Sequence, residues 1–245
     1  MPTADGVVWF KESAPVDGYE PALTEWLLAR RPECVPNVLA AEGPRMLTED
    51  AGPSMRELLD RREPTPAWDE IVGLYAEVQI ELSGTVEELL ALGVPDSRAE
   101  TLGHAVGGPL GATLIHEEVH DGNVHVRDRR PVFIDWAEAS VSHPFAGMTN
   151  TLRIVSWVSG WKPGSKEVLR LRDAYLEPWT KFAPLSELRE TFSEGYALGA
   201  LARAKTWERL VEPLRGGLRE EYAQNAAAWR GIYAEATRRG AKLGE

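Results

Sequence analysis

The stretch Leu114-Ile115-His116-Glu117-Glu118-Val119-His120-Asp121-Gly122-Asn123, with Phe133-Ile134-Asp135-Trp136 after it, gathers carboxylates, imidazoles and an amide in little space. Phosphoryl transfer asks for such a set. It needs an acid group beside an attacking hydroxyl, and oxygen ligands that hold a magnesium ion against nucleotide phosphates. Carboxylate and amide oxygens suit that hard cation. Glu118 and Asn123 can face one cleft from a tight loop, and a short hairpin then returns the chain so that Asp135 meets the same ion. On this reading Asn123 and Asp135 are the metal ligands, and Glu118 accepts or orients the hydroxyl proton.

The run from His116 to His120 also spells H-E-x-x-H, in which two histidines one helical turn apart bind zinc and the first glutamate is general base. Glu138 stands downstream where a third ligand could come from, so a zinc hydrolase is a rival reading. Against it, Gly122 follows the second histidine closely, and the chain then alternates as a hairpin instead of continuing a helix. Plainer roles exist for each residue alone. Lys11 can be an edge-strand lysine, Glu20 a first-turn glutamate favoured by the helix dipole, Asn123 an Asx turn and Asp135 a helix cap. Joint spacing, not any single residue, carries the chemical reading.

Local elements must hold these side chains in place. Val7-Val8-Trp9-Phe10 reads as a strand ended by Lys11, and Glu20 to Arg31 as a helix with Leu23, Leu27 and Leu28 at helical spacing. Val38-Leu39-Ala40 and Met46-Leu47-Thr48 read as strands joined by the turn Glu42-Gly43-Pro44. Asp50-Ala51-Gly52-Pro53 is a linker, and beyond it helical periodicity covers Met55 to Leu59, Trp68 to Leu92, and Ser97 to about Val106. Asn123 to Val126 and Val132 to Ile134 form a hairpin through Asp128-Arg129-Arg130. From about Pro144 to Leu243 the chain is helical, with breaks at Pro163-Gly164, Pro184 and Gly216-Gly217. Trp157, Trp161, Trp179, Trp207 and Trp229 in that region read as core rather than as a binding pocket.

A chain of 245 residues, 43% hydrophobic and 27% charged, suits one domain of two lobes. The net charge of -11 is spread along the sequence and argues against nucleic acid or an anionic membrane as partner, because either would repel it. The single cysteine, Cys34, permits no internal disulfide and no thiolate zinc site. No basic stretch precedes an apolar run at the amino terminus, and the apolar segments fall far short of the ~20 residues that span a bilayer. A cytoplasmic protein is the expectation.

The His116, Asn123 and Asp135 spacing resembles that of the aminoglycoside phosphotransferase family, whose catalytic loop reads H-G-D-x-x-x-x-N and is followed, after a hairpin, by an aspartate of the I-D-W type. The resemblance extends to the small lobe. Lys11 ends a strand as the family's phosphate-binding lysine does, Glu20 opens the next helix as its ion-pair partner does, and Leu47-Thr48-Glu49-Asp50-Ala51-Gly52 resembles the adenine-binding hinge. It implies an α+β, protein-kinase-like fold of two lobes, a reduced amino-terminal one over residues 1–50 and a mostly helical one over 51–245. It also implies ATP and Mg²⁺ as cofactors and a small-molecule hydroxyl as acceptor. Lys11, Glu20 and Glu49 become the nucleotide-binding residues. Glu118 and His116 are the catalytic-loop pair, with His116 expected to hydrogen-bond backbone rather than transfer a proton.

Two departures accompany the resemblance. Glu118 replaces the motif's aspartate and Glu117 its glycine. Only ten residues precede Lys11, so the strands and covering loop that the family places there are expected to be absent or reduced to one short strand, with weak ATP binding. A pseudokinase acting through a partner protein is the alternative these departures suggest. Val7 to Phe10 then make an open sheet edge that a second copy or another chain would cover.

Overall fold

The structure, a computed structural model, describes residues 2–3, 6–238 and 243. Strand β1 (Pro2–Thr3) lies antiparallel to the start of β2 (Gly6–Glu12), so the chain covers the first residues of that edge itself. β-Branched and aromatic residues favour the extended backbone of β2. It runs through Lys11 instead of ending there. Helix α1 (Glu20–Leu28) carries Pro21 in its first turn, where a missing N–H costs nothing. It stops short of the expected Arg31, with the Ala29 and Arg31 amides closing turns onto Glu25 and Leu27 carbonyls. Strands β3 (Val38–Glu42) and β4 (Arg45–Glu49) form the expected hairpin, and the sheet order is β1-β2-β4-β3.

The linker after β4 is held by Gly52, whose φ is +86°. A Cβ there would collide with the Val126 carbonyl, so only glycine lets the linker lie against the chain at Val126. Ser54 then caps α2 (Met55–Arg61) through a reciprocal capping box with Glu57. The helical periodicity over Trp68 to Leu92 proves to be two helices, α3 (Trp68–Leu82) and α4 (Val86–Ala91). Between them Ser83 and Thr85 hydroxyls bond the Ile80 and Leu82 carbonyls and close the first helix. The helix expected from Ser97 to Val106 shrinks to one turn, α5 (Ala99–Leu102), ended by Gly103 in the left-handed region.

Strand β5 (Thr113–Ile115) leads into the loop of residues 116–123. It is buried on all three residues and so has no alternating pattern to read. Strands β6 (Val124–Arg127) and β7 (Arg130–Phe133) make the expected hairpin, turning through Asp128 and Arg129, both at positive φ. β8 (Ser140–Ser142) returns antiparallel to β5. The rest is α6 (Met148–Ser159), α7 (Lys166–Leu176), α8 (Leu185–Val211) and α9 (Gly216–Ala236). The last break lies at residues 212–215, and Gly216-Gly217 open α9 rather than interrupt it. Tyr75, Phe133, Phe145, Tyr175, Trp179 and Phe192 centre the large-lobe core, whereas Trp157 is 82% exposed, contrary to a core role. Among the described residues no helix is long and apolar enough to cross a membrane.

Candidate active site

The sheet and the large lobe enclose a cleft of about 390 Å³, lined by Trp9, Lys11, Thr48 and Glu49 on one side and by Ile134 and Asp135 on the other. Lys11 Nζ stands 2.6 Å from Glu20 Oε1 and 2.6 Å from Asp135 Oδ1. Ser13 Oγ donates to the second Glu20 oxygen at 2.6 Å. One ammonium group thus joins β2, the first residue of α1 and the residue that follows Ile134 after β7. Burial alone would lower the Lys11 pKa, but Asp135 and Glu20 outweigh it and hold it above the ordinary lysine value. Glu20 is fully buried, and burial pushes its carboxyl up in spite of Lys11 and Ser13. Burial also opposes ionisation of Asp135, yet the lysine beside it keeps that carboxyl below the usual range.

Glu49 ends β4, with its N–H on the Asn37 carbonyl at 2.9 Å, and lines the cleft beside Ala51. Trp9 shares a face of β2 with Lys11, because strand side chains alternate with a period of two. Its indole is 58% exposed and donates to Asp50 Oδ1 at 3.3 Å. That shared face is the signal by which Trp9 could have been placed in the cleft from sequence.

In the loop of residues 116–123 His116 is fully buried. Its Nε2 meets the Ile134 carbonyl at 2.8 Å, its Nδ1 accepts the Glu118 N–H at 3.3 Å, and its own N–H donates to Tyr75 Oη at 2.9 Å. Burial lowers the imidazole pKa to about 4, so the ring is neutral and carries its proton on Nε2. It splices the loop to the strand that delivers Asp135. Glu117 stands at φ +63°, in the region where the resembled motif has glycine. A side chain there costs roughly 1–2 kcal/mol. Its buried carboxylate accepts the Ser140 hydroxyl at 2.7 Å and the Thr206 hydroxyl at 3.0 Å, and burial pushes its pKa up. Arg56 clamps Asp121 at 2.8 and 3.1 Å, tying the loop to α2.

The H-E-x-x-H reading finds no support. Residues 116–120 are not helical, His120 Nδ1 accepts the Gly122 N–H at 3.0 Å, and Glu138 is bound by Arg203. Among the described residues no three His, Cys, Asp or Glu side chains converge to hold a metal ion. Asn123 and Asp135 offer a different donor set. The Ile134 N–H donates to the Asn123 carbonyl at 3.0 Å, which sets the two residues side by side at the base of the hairpin. Asn123 Nδ2 turns to the Glu118 carbonyl at 3.3 Å, leaving Oδ1 for a cation. One amide and one carboxylate oxygen, completed by phosphate and water oxygens, fit Mg²⁺.

Three residues of α8 were missed. Arg203 binds Glu118 and Glu138, Thr206 holds Glu117, and Arg209 reaches Asp17 and the Val16 carbonyl in the loop between β2 and α1. Tyr19 Oη adds bonds to the Ala137 and Ala139 carbonyls at 2.6 and 2.9 Å, so that loop is fastened to the large lobe. The one available hint was an arginine inside an apolar helical stretch.

The model of the phosphotransferase enzyme family known as APH matches residues 6–190, and the chain belongs to that family. Its fold is protein-kinase-like. The GDP complex of wild-type aminoglycoside 2'-phosphotransferase-IIIa is similar with a TM-score of 0.50 at 13% identity, covering 89% of this chain and 83% of that one. The Plasmodium vivax ethanolamine kinase gives a TM-score of 0.52 at 11% identity, over 94% of this chain and 77% of the other. No curated protein matches the sequence.

Proposed function

We infer that the protein is an ATP- and Mg²⁺-dependent phosphotransferase acting on a hydroxyl group of a small molecule. The observation that carries this reading is Lys11, held 2.6 Å from both Glu20 and Asp135 on the wall of the inter-lobe cleft. Lys11 exchanges Asp135 for phosphate oxygens, while Glu20 and Ser13 keep it aimed. Trp9 and the chain around Glu49 face the base. Asn123 and Asp135 would hold a magnesium ion, and the charge neutralisation on the transferring phosphate is what that ion would supply there. Glu118 accepts or orients the acceptor's proton as the hydroxyl oxygen bonds to phosphorus and the bond to the ADP oxygen breaks, ADP leaving with the electron pair. His116 moves no proton and holds the loop.

Calorimetric titration of ATP with and without Mg²⁺ tests the nucleotide half. Phosphorus NMR of ATP with a panel of hydroxylated amines and sugars tests the transfer. Absence of metal-dependent ATP binding would sink the reading, and binding without phosphorylated product across the panel would favour a pseudokinase. Phe10 is 53% exposed on β2, beyond the residues that β1 pairs, and a second chain against that edge belongs to this reading. A strictly monomeric protein in sedimentation would remove it.

A further inference from the structure

Behind the catalytic loop a single side chain faces three carboxylates. Arg203 is 5% exposed; one terminal nitrogen binds Glu118 Oε1, and the other binds Glu138 Oε2 and stands 3.7 Å from Glu117 Oε2. The Trp207 ring lies 5.8 Å from the guanidinium. Arg203 and Thr206 lie beyond residue 190, where the family match ends, so the catalytic loop is braced by a part of the chain outside that match. Glu118 has one more rotatable bond than the aspartate of the resembled motif, and an unanchored glutamate samples several rotamers. A planar guanidinium that grips two carboxylates at once fixes direction as well as charge, which an ammonium cannot do.

We propose that Arg203 is a positioning residue for Glu118: its fork, anchored on Glu138, locks the longer carboxylate into the acceptor site. The consequence for turnover rests on the phosphotransfer reading, whereas the positioning itself rests on the geometry. A merely structural Arg203 would neutralise buried Glu117 and leave Glu118 indifferent to it.

Mg²⁺-dependent ATP turnover, with water or the best hydroxyl acceptor, separates these roles. R203M is expected to lower kcat about a hundredfold, the scale of a ~1 Å misplacement, with KM for ATP within about twofold. In E118A, which has no carboxylate to position, adding R203M should change kcat by less than about twofold. Unchanged kcat in R203M, or equal losses in both backgrounds, overturns the proposal. Should R203M not fold, R203K keeps the charge beside Glu117, and a loss of about tenfold is expected from its missing fork. Crystal structures of the wild type and R203K judge the geometry without any turnover. A displaced Glu118 carboxylate in R203K supports positioning, and an unmoved one overturns it. Wild-type protein that neither binds nor turns over ATP refutes the phosphotransfer reading instead, and the crystallographic comparison still decides the role of Arg203.

Discussion

The two sides of the loop at residues 116–123 use the same chemistry to opposite ends. On the open side Lys11 is shared by Glu20 and Asp135, with 35% of the lysine and 45% of Asp135 exposed. On the sealed side Arg203 is shared by Glu117, Glu118 and Glu138, with only 6% of its side chain exposed. Exposed ion pairs exchange partners at little cost, whereas breaking a buried one costs about 3–5 kcal/mol. Burial therefore separates a switch from a strut. The Asp135 end of the Lys11 pair is open to solvent, whereas the guanidinium of Arg203 is closed off from it. The sealed side also contains the two histidines whose pKa burial lowers to about 4, His116 and His143.

Arg203 apart, the contrast predicts that changes behind the loop act on stability and changes on the open side act on binding. The largest effect is expected at Gly199, where α8 passes so close to Ala146 and Thr149 that a Cβ would meet the Ala146 carbonyl. Gly199→Val should lose about 3–4 kcal/mol in urea unfolding, an overpacking penalty against backbone that cannot yield. A loss below about 1 kcal/mol would show that α8 is free to move off Ala146 and Thr149.

Acid should weaken the same region. The His143 pKa falls from 6.5 to about 4 on folding, and burial is the cause. Above pH 6.5 both states are neutral; below it the unfolded chain takes up a proton that the folded one refuses. Stability is thus full above that pH and is lost as pH falls towards the folded value. Relative to His143→Gln, the wild type should lose about 2–3 kcal/mol more between pH 7 and 4.5. Parallel urea midpoints for the two proteins would break this part of the comparison.

Effects on the open side come next. Asp135→Ala should weaken Mg²⁺-dependent ATP binding about a hundredfold, through loss of a charged ligand, with its melting temperature unchanged. Calorimetry and a thermal melt of one sample read both, and a large melting shift would place Asp135 among the struts. Glu20→Gln is the mildest change, since burial already raises the Glu20 pKa and the neutral amide fills the same space. It should weaken ATP binding about five- to tenfold by loosening the aim of Lys11, as loss of one charged hydrogen bond would. An unchanged affinity would mean that Asp135 alone steers the lysine.

Where sequence reasoning succeeded, the information was local or periodic. The strand at Val7 to Phe10, the β3–β4 hairpin and the β6–β7 hairpin follow from alternation and turn residues read within a few positions. Its errors in the large lobe are also physical. Helical periodicity persists across Ser83 to Thr85, and only the side-chain bonds to the Ile80 and Leu82 carbonyls end the first helix. Strands β5 and β8, three residues each and wholly buried, carry no alternation to find.

By itself the sequence determined that a carboxylate-bearing loop, a hairpin and a second carboxylate follow one another along the chain. The family resemblance, not spacing alone, marked Lys11 and Glu20 as a pair, nine positions apart on a strand and the helix after it. Tertiary structure alone decided which cation answers which carboxylate. Asp135 meets Lys11 across 124 positions, and Glu118 meets Arg203 across 85. No periodicity reaches so far, and charges in a sequence have no partners until packing removes the water between them.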